Sequence, residues 1–170
     1  MSLPVVEAAQ ELRGRSVLVT GGTGFIGCRL VERLVLQHGV RVRVLVRDFA
    51  RAVRVATFPV ELVPGSVLDR AALAAASSGC DTVFHCAYGT AGSQSERART
   101  NRDGTRNVLE AALAQRVRRV VGLSTLMVYG HTPDGDLDET APRRRYGDTY
   151  SDSKYDAELL ALGLARERGA

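Results

Sequence analysis

Apolar residues in this chain alternate between strand and helix spacing. Val17-Leu18-Val19 is an unbroken apolar run, while Val42, Val44 and Val46 alternate with Arg41, Arg43 and Leu45. The run reads as a strand buried on both faces, and the alternation as a second strand. Between them Ile26, Leu30, Val31, Leu34 and Val35 recur at the spacing of one helix face. The pattern predicts strands over 16–20, 40–46, 60–63, 81–87 and 117–123. It predicts helices over 24–38, 51–56 (short), 73–78 and around 101–109, and another starting near 150. Gly39 and Gly79 stand where two of these helices stop. Strands alternating with helices imply an α/β fold with a parallel sheet. Residues 1–14 carry no strong pattern and are expected to form an arm, a tag or a short helix. One domain is expected over 15–170.

The turn after the first strand carries the first candidate chemistry. Thr20-Gly21-Gly22-Thr23-Gly24-Phe25-Ile26-Gly27 joins a strand to a helix, the context that a dinucleotide-binding turn requires. Gly21 can adopt turn angles closed to other residues. Gly24 would let the backbone approach a pyrophosphate, and Gly27 would let the helix pack closely. The helix N-terminus would then aim N–H groups at the phosphates.

Composition narrows the function classes. The chain has 170 residues, 45% of them apolar, enough for one cored domain. No apolar run approaches the ~20 residues of a membrane helix. Residues 1–10 lack a basic start followed by an apolar stretch, so no signal peptide is expected. Cys28, Cys80 and Cys86 have no metal-ligand spacing. They read as buried thiols of a reducing compartment, with no metal site. The net charge is +4, but the arginines are scattered. The Arg143-Arg144-Arg145 cluster has no interleaved aromatic platform, so nucleic acid is not an expected partner. Of 23 basic residues 22 are Arg, and the one Lys is Lys154.

That lysine lies four residues after Tyr150, in Tyr150-Ser151-Asp152-Ser153-Lys154, ahead of Ala157, Leu160, Ala161 and Leu164 at helical spacing. Tyr150 and Lys154 should therefore share a helix face. An ammonium beside a phenol favours the phenolate. Such a phenol can give or take a proton at a carbinol or carbonyl oxygen. Thr125, at the end of the fifth strand, can donate a hydrogen bond to that oxygen, and Ser124 is the alternative. His85 lies on an apolar strand with no neighbouring acid and is read as structural.

Five landmarks occur in order: the glycine turn, Asp81-Thr82-Val83-Phe84-His85-Cys86-Ala87, Asn101-Arg102-Asp103-Gly104-Thr105-Arg106-Asn107-Val108-Leu109, Ser124-Thr125-Leu126-Met127-Val128-Tyr129-Gly130, and Tyr-x-x-x-Lys. Together they resemble the extended short-chain dehydrogenase/reductase family of epimerases, dehydratases and related reductases, over residues 16 to about 165. The resemblance implies a Rossmann-type, doubly wound parallel sheet in the order 3-2-1-4-5. It also implies that the chain stops before a C-terminal substrate domain.

The resemblance further implies hydride transfer with NAD(P), by a Thr125–Tyr150–Lys154 triad with Asn101 nearby. Lys154 would also hold the nicotinamide ribose. The dinucleotide would lie against Gly21, Thr23, Gly24, Phe25, Ile26 and Gly27. Cys86, Ala87, Tyr88, Ser124, Tyr150 and Lys154 would face its nicotinamide half. Val46 stands where NAD-selective relatives carry a carboxylate, and Arg47 can reach a 2′-phosphate, which favours NADP(H). Asp48 keeps NAD(H) open. Ser66 replaces the family's Asp near adenine, beside Val67. Leu126-Met127 replace the Asp-Glu of 4,6-dehydratases, leaving an epimerase, possible sugar nucleotides included, or a carbonyl reductase. The expected setting is cytoplasmic, as a homodimer packed closely at Ala111, Ala112 and Ala157. The alternatives are a non-catalytic NADP(H) sensor and a scaffold with vestigial motifs.

Overall fold

The computed structural model describes residues 11–89, 92–131 and 137–167. Two compact units share the chain: Met1–Ala87 with Asn107–Gly122, and Tyr88–Arg106 with Leu123–Ala170.

The first unit holds the sheet. Its strands are β1 (Ser16–Thr20), β2 (Arg41–Val46), β3 (Glu61–Pro64), β4 (Thr82–His85) and β5 (Arg119–Gly122), in the order β3-β2-β1-β4-β5. All four pairings are parallel. This is the predicted doubly wound Rossmann topology. Each strand pair is joined through helical or turn segments, among them α1 (Phe25–Leu36), α2 (Arg70–Ser77) and α3 (Gln94–Ala114).

The apolar run of β1 explains its central place. Val17 and Val19 enter a core with Val31 and Leu34 of α1 and Val42, Val44 and Val46 of β2. Leu18 enters the opposite core with Leu73, Val83, Val108 and Ala112. All three β1 side chains are fully buried, as a strand covered on both faces requires. On β2 the one polar position among the inward residues, Arg43, is neutralised in place. Its Nε–H donates to Glu61 (2.7 Å) and Nη1 to the Ser78 carbonyl (2.5 Å).

Several expectations are corrected. Residues 51–56 do not form a helix. Two 3-10 turns, Phe49–Arg51 and Val55–Thr57, replace it, the first capped by Asp48 accepting from Ala50 N–H. Valine and threonine at 53, 55 and 57 are poor helix formers. Ile26 does not join the core face of α1; it is 57% exposed, and the buried positions are Gly27, Cys28, Val31 and Leu34. Ala111 and Ala112 are buried in the core of the first unit, and Ala157 is buried as well. Ala111 and Ala112 are therefore packed against the chain's own core. Residues 1–10 of the expected arm lie outside the described residues; Leu12 packs against the core.

The second unit contains the N-terminal part of α3, a 3-10 turn over Leu126–Tyr129, and α4 (Thr149–Glu167). Asp148 caps α4: its carboxylate accepts from the Ser151 N–H (2.9 Å) and hydroxyl (2.6 Å). Those two donors hold its carboxyl below the ordinary range.

Candidate functional site

The parallel register sets Gly21, Arg47 and Cys86 just beyond the C-terminal ends of three neighbouring strands, since Thr20 pairs with Leu45 and His85. Gly21 has φ +71°, and a Cβ there would lie 2.5 Å from the backbone of Cys86 and Ala87. A Cβ on Gly27 would lie 2.3 Å from the Gly21 carbonyl oxygen. Gly27 thus lets α1 pack against the turn itself. Gly24 is the N-cap of α1, with no capping side chain and no acid in the first turn. The helix therefore meets solvent with its positive end open, a cradle of backbone shape and charge for a phosphate. Phe25 is 90% exposed beside it.

Around this cradle the other expected cofactor residues differ in what they offer. Thr23, Arg47 and Asp48 are exposed, and one Asp48 oxygen accepts from Ala50 N–H at 3.0 Å. Ser66 Oγ accepts from Leu68 N–H at 3.2 Å. The Val67 side chain is buried in the core and its carbonyl accepts from Asn107 Nδ2 at 3.1 Å. Cys86 N–H donates to Thr20 O at 3.0 Å. His85 is buried, its Nδ1 2.7 Å from the Thr20 hydroxyl, in keeping with a structural part.

In the second unit, Tyr88 stands between two of the expected catalytic groups. Its ring meets that of Tyr150 edge to face, centroids 5.1 Å apart at 79°. The Lys154 ammonium lies 5.4 Å from the same ring and donates to the Leu123 carbonyl at 3.0 Å. A cation over an aromatic face and a T-shaped ring pair are both attractive. Burial, and next the neighbouring Tyr150, push the Tyr88 phenol above its ordinary value.

Asn101 ties this corner together. Its Oδ1 accepts from Gly89 N–H (3.0 Å) and its Nδ2 donates to Ser153 Oγ (2.9 Å). Ser153 in turn donates to the Tyr150 carbonyl at 2.7 Å. Thr125 caps the 3-10 turn, its Oγ1 accepting from Met127 N–H at 3.4 Å, which leaves the hydroxyl proton to donate elsewhere. Ser124 donates to Glu158, which also accepts from Arg143. Tyr88, Tyr150, Asn101 and Ser153 line a pocket of about 240 Å³. Ser153 and Arg97 were not singled out from the sequence. Arg97 had one available signal, its place one helix turn before Asn101. Among the described residues no group of three or more His, Cys, Asp or Glu could hold a metal ion. No helix among them is long and apolar enough to cross a membrane.

Comparison with known proteins adds to this geometry. The model of the NAD dependent epimerase/dehydratase family matches residues 17–170. The chain is 36% identical over 169 residues to cinnamoyl-CoA reductase 1 from Oryza sativa subsp. japonica, covering 90% of this chain and 49% of that protein. It is 36% identical over 149 residues to a 4-hydroxy-2-methyl-3-oxo-4-farnesyl-3,4-dihydroquinoline-1-oxide ketoreductase from Stigmatella aurantiaca, covering 85% and 44%. Among solved structures, a dTDP-glucose 4,6-dehydratase from Streptomyces venezuelae, crystallised with NAD bound, superimposes with a TM-score of 0.81. It is 30% identical and is matched over 91% of this chain and 52% of that one. The chain spans about half the length of the curated relatives it matches.

Proposed function

We propose that this chain, which belongs to the NAD dependent epimerase/dehydratase family, holds the cofactor and proton-transfer groups of an enzyme. That enzyme moves hydride at a hydroxyl- or carbonyl-bearing carbon of a small molecule. The observation that carries the reading is the placement of Tyr150 and Lys154 one turn apart on α4, both against the ring of Tyr88.

The residues present fit a nicotinamide dinucleotide. Gly21 lets the turn close against the backbone of Cys86 and Ala87, Gly27 lets α1 pack against that turn, and α1 opens its N-terminus there with no capping side chain or acid in its first turn. When bound, the dinucleotide supplies or accepts the hydride. Gly21, Thr23, Gly24, Phe25, Ile26 and Gly27 would hold its pyrophosphate side, with Ser66 and Val67 near adenine. Cys86, Ala87, Tyr88 and Ser124 would face its nicotinamide half. Arg47 is exposed, and Asp48, also exposed, has one of its two carboxylate oxygens taken up by the Ala50 N–H; the cationic fork at the end of β2 supports NADP(H) over NAD(H).

The chain's own groups then manage the proton. Thr125 donates to the substrate oxygen and polarises it. Tyr150 gives that oxygen a proton in the reducing direction and takes it back in the other. Lys154 stabilises the phenolate so formed by its positive charge and binds the nicotinamide ribose. Asn101 acts through Gly89 and Ser153, fixing the start of α4. Leu126-Met127, after Thr125, offer no carboxylates for a further acid/base step. That supports an epimerase or a carbonyl reductase over a 4,6-dehydratase, with a sugar nucleotide among the candidate substrates. The free thiols Cys28 and Cys80 suit a reducing compartment such as the cytoplasm.

The test is NADPH oxidation against a panel of aldehydes and ketones, by wild type and Tyr150→Phe. The variant should lose about 10²- to 10⁴-fold in turnover while NADPH fluorescence titration stays unchanged. Unchanged turnover would remove Tyr150 from the mechanism.

A further inference from the structure

We propose that the pocket beside Tyr150 takes a carbonyl compound bearing a carboxylate, and that Arg97 binds that carboxylate. The proposal rests on Tyr150 as the proton-handling group. One wall is α3, which presents Gln94, Arg97 and Asn101 to the pocket, spaced so as to share one helix face. The other is the start of α4, with Asp148, Tyr150 and Ser153.

Most of the polar groups around this space are already committed. Asp148 accepts from the Ser151 N–H and hydroxyl. Asn101 is bonded at both ends of its amide, to Gly89 and Ser153. Glu96, next to Arg97 in the chain, turns its carboxylate to the Ser93 N–H (2.7 Å) and hydroxyl (2.8 Å). Arg97 differs from all of these. Its Nε–H reaches the Ser93 carbonyl only at 3.5 Å. Among the described residues it has no carboxylate at ion-pair distance, although the residue is only partly exposed. A guanidinium with five donors, one of them in a long bond, is partly desolvated with little return. A carboxylate fits its fork with two parallel bonds.

Wall character narrows the ligand. The edge-to-face rings of Tyr88 and Tyr150 give a ligand ring an aromatic wall. Arg97 lies one helix turn, about 6 Å of rise, from Asn101. The probe pair is therefore 4-carboxybenzaldehyde and benzaldehyde.

Binding of both is measured by ligand-observed NMR on the full chain as wild type, Arg97→Gln and Arg97→Lys, with NADPH oxidation followed in parallel. Wild type should bind the carboxylated probe at least about tenfold more tightly, as a charge-assisted bidentate pair predicts. Arg97→Gln should abolish the preference and Arg97→Lys should keep part of it. Benzaldehyde binding should stay the same in all three, which also shows that the variants fold. Failure of wild type to bind the carboxylated probe, equal affinity for the two probes, or a preference that survives in Arg97→Gln would overturn the proposal. Arg97-dependent binding without NADPH oxidation would support the subsite and count against hydride transfer. Equal oxidation of both probes by wild type and Arg97→Gln would support hydride transfer and overturn the subsite.

Discussion

Asn101 Nδ2 donates to Ser153 Oγ across 2.9 Å, joining α3 to α4 inside one compact unit. Both residues are buried, at 4% and 5% exposure, so neither polar group has water to fall back on. Asn101→Ala would strand the Gly89 N–H and leave Ser153 one partner short. Leaving a buried donor unmade costs about 1–3 kcal/mol. Urea unfolding should show a loss of that size for Asn101→Ala. Ser153→Ala should cost a comparable amount, because it frees both Asn101 Nδ2 and the Tyr150 carbonyl. The double variant should lose less than the sum, since the two share one bond.

The glycines divide into those that need to be glycine and those that do not. A methyl on Gly21 meets backbone at 2.5 Å at φ +71°, and on Gly27 it meets the Gly21 carbonyl at 2.3 Å. Gly163, inside α4, has open space around it. Gly21→Ala and Gly27→Ala should each cost at least about 2 kcal/mol and abolish dinucleotide binding. Gly163→Ala should instead stabilise by about 0.5–1 kcal/mol. Chemical denaturation of the three variants checks both signs.

The reasons for this division were only partly legible in the sequence. The Val17-Leu18-Val19 run, the glycine turn and the alternation on β2 were enough for an α/β fold with a parallel sheet, because a strand apolar on both faces needs cover on both; the strand order came with the family resemblance of the five landmarks. Local spacing could not show that Asp48 would cap a 3-10 turn in place of a helix. Nor could it show that Ala111 and Ala112 face the chain's own core. Helical spacing put Ile26 on the buried face, yet the turn at Gly21 and Gly27 orients the first turn of α1 so that Ile26 faces out. At the site, Tyr-x-x-x-Lys was readable as a pair. The contacts of both with Tyr88 were not, since they depend on where the segment after β4 brings that ring.

Asp148 makes the start of α4 sensitive to acid. Hydrogen bonds from the Ser151 hydroxyl and N–H hold its folded carboxyl below the ordinary value. A depressed carboxylate contributes stability that is complete above its unfolded value, about pH 4, and is lost as the pH falls through the lower folded value. Asn caps as well as Asp but does not titrate in this range. Melting curves from neutral pH to about pH 3 should therefore show wild type losing stability relative to Asp148→Asn, and only in the acid part. Parallel curves throughout would remove the cap as the cause.

The central claim is that the Gly21–Gly27 cradle and Arg47 bind a phosphorylated nicotinamide dinucleotide. Titrating the chain with NADPH and with NADH, followed by reduced-nicotinamide fluorescence, tests it directly. The account predicts saturable binding with NADPH the tighter, a gap that narrows in Arg47→Ala, and no binding in Gly27→Ala. Tighter NADH would overturn the role of Arg47 alone. A folded wild-type chain that binds neither dinucleotide would contradict the claim itself.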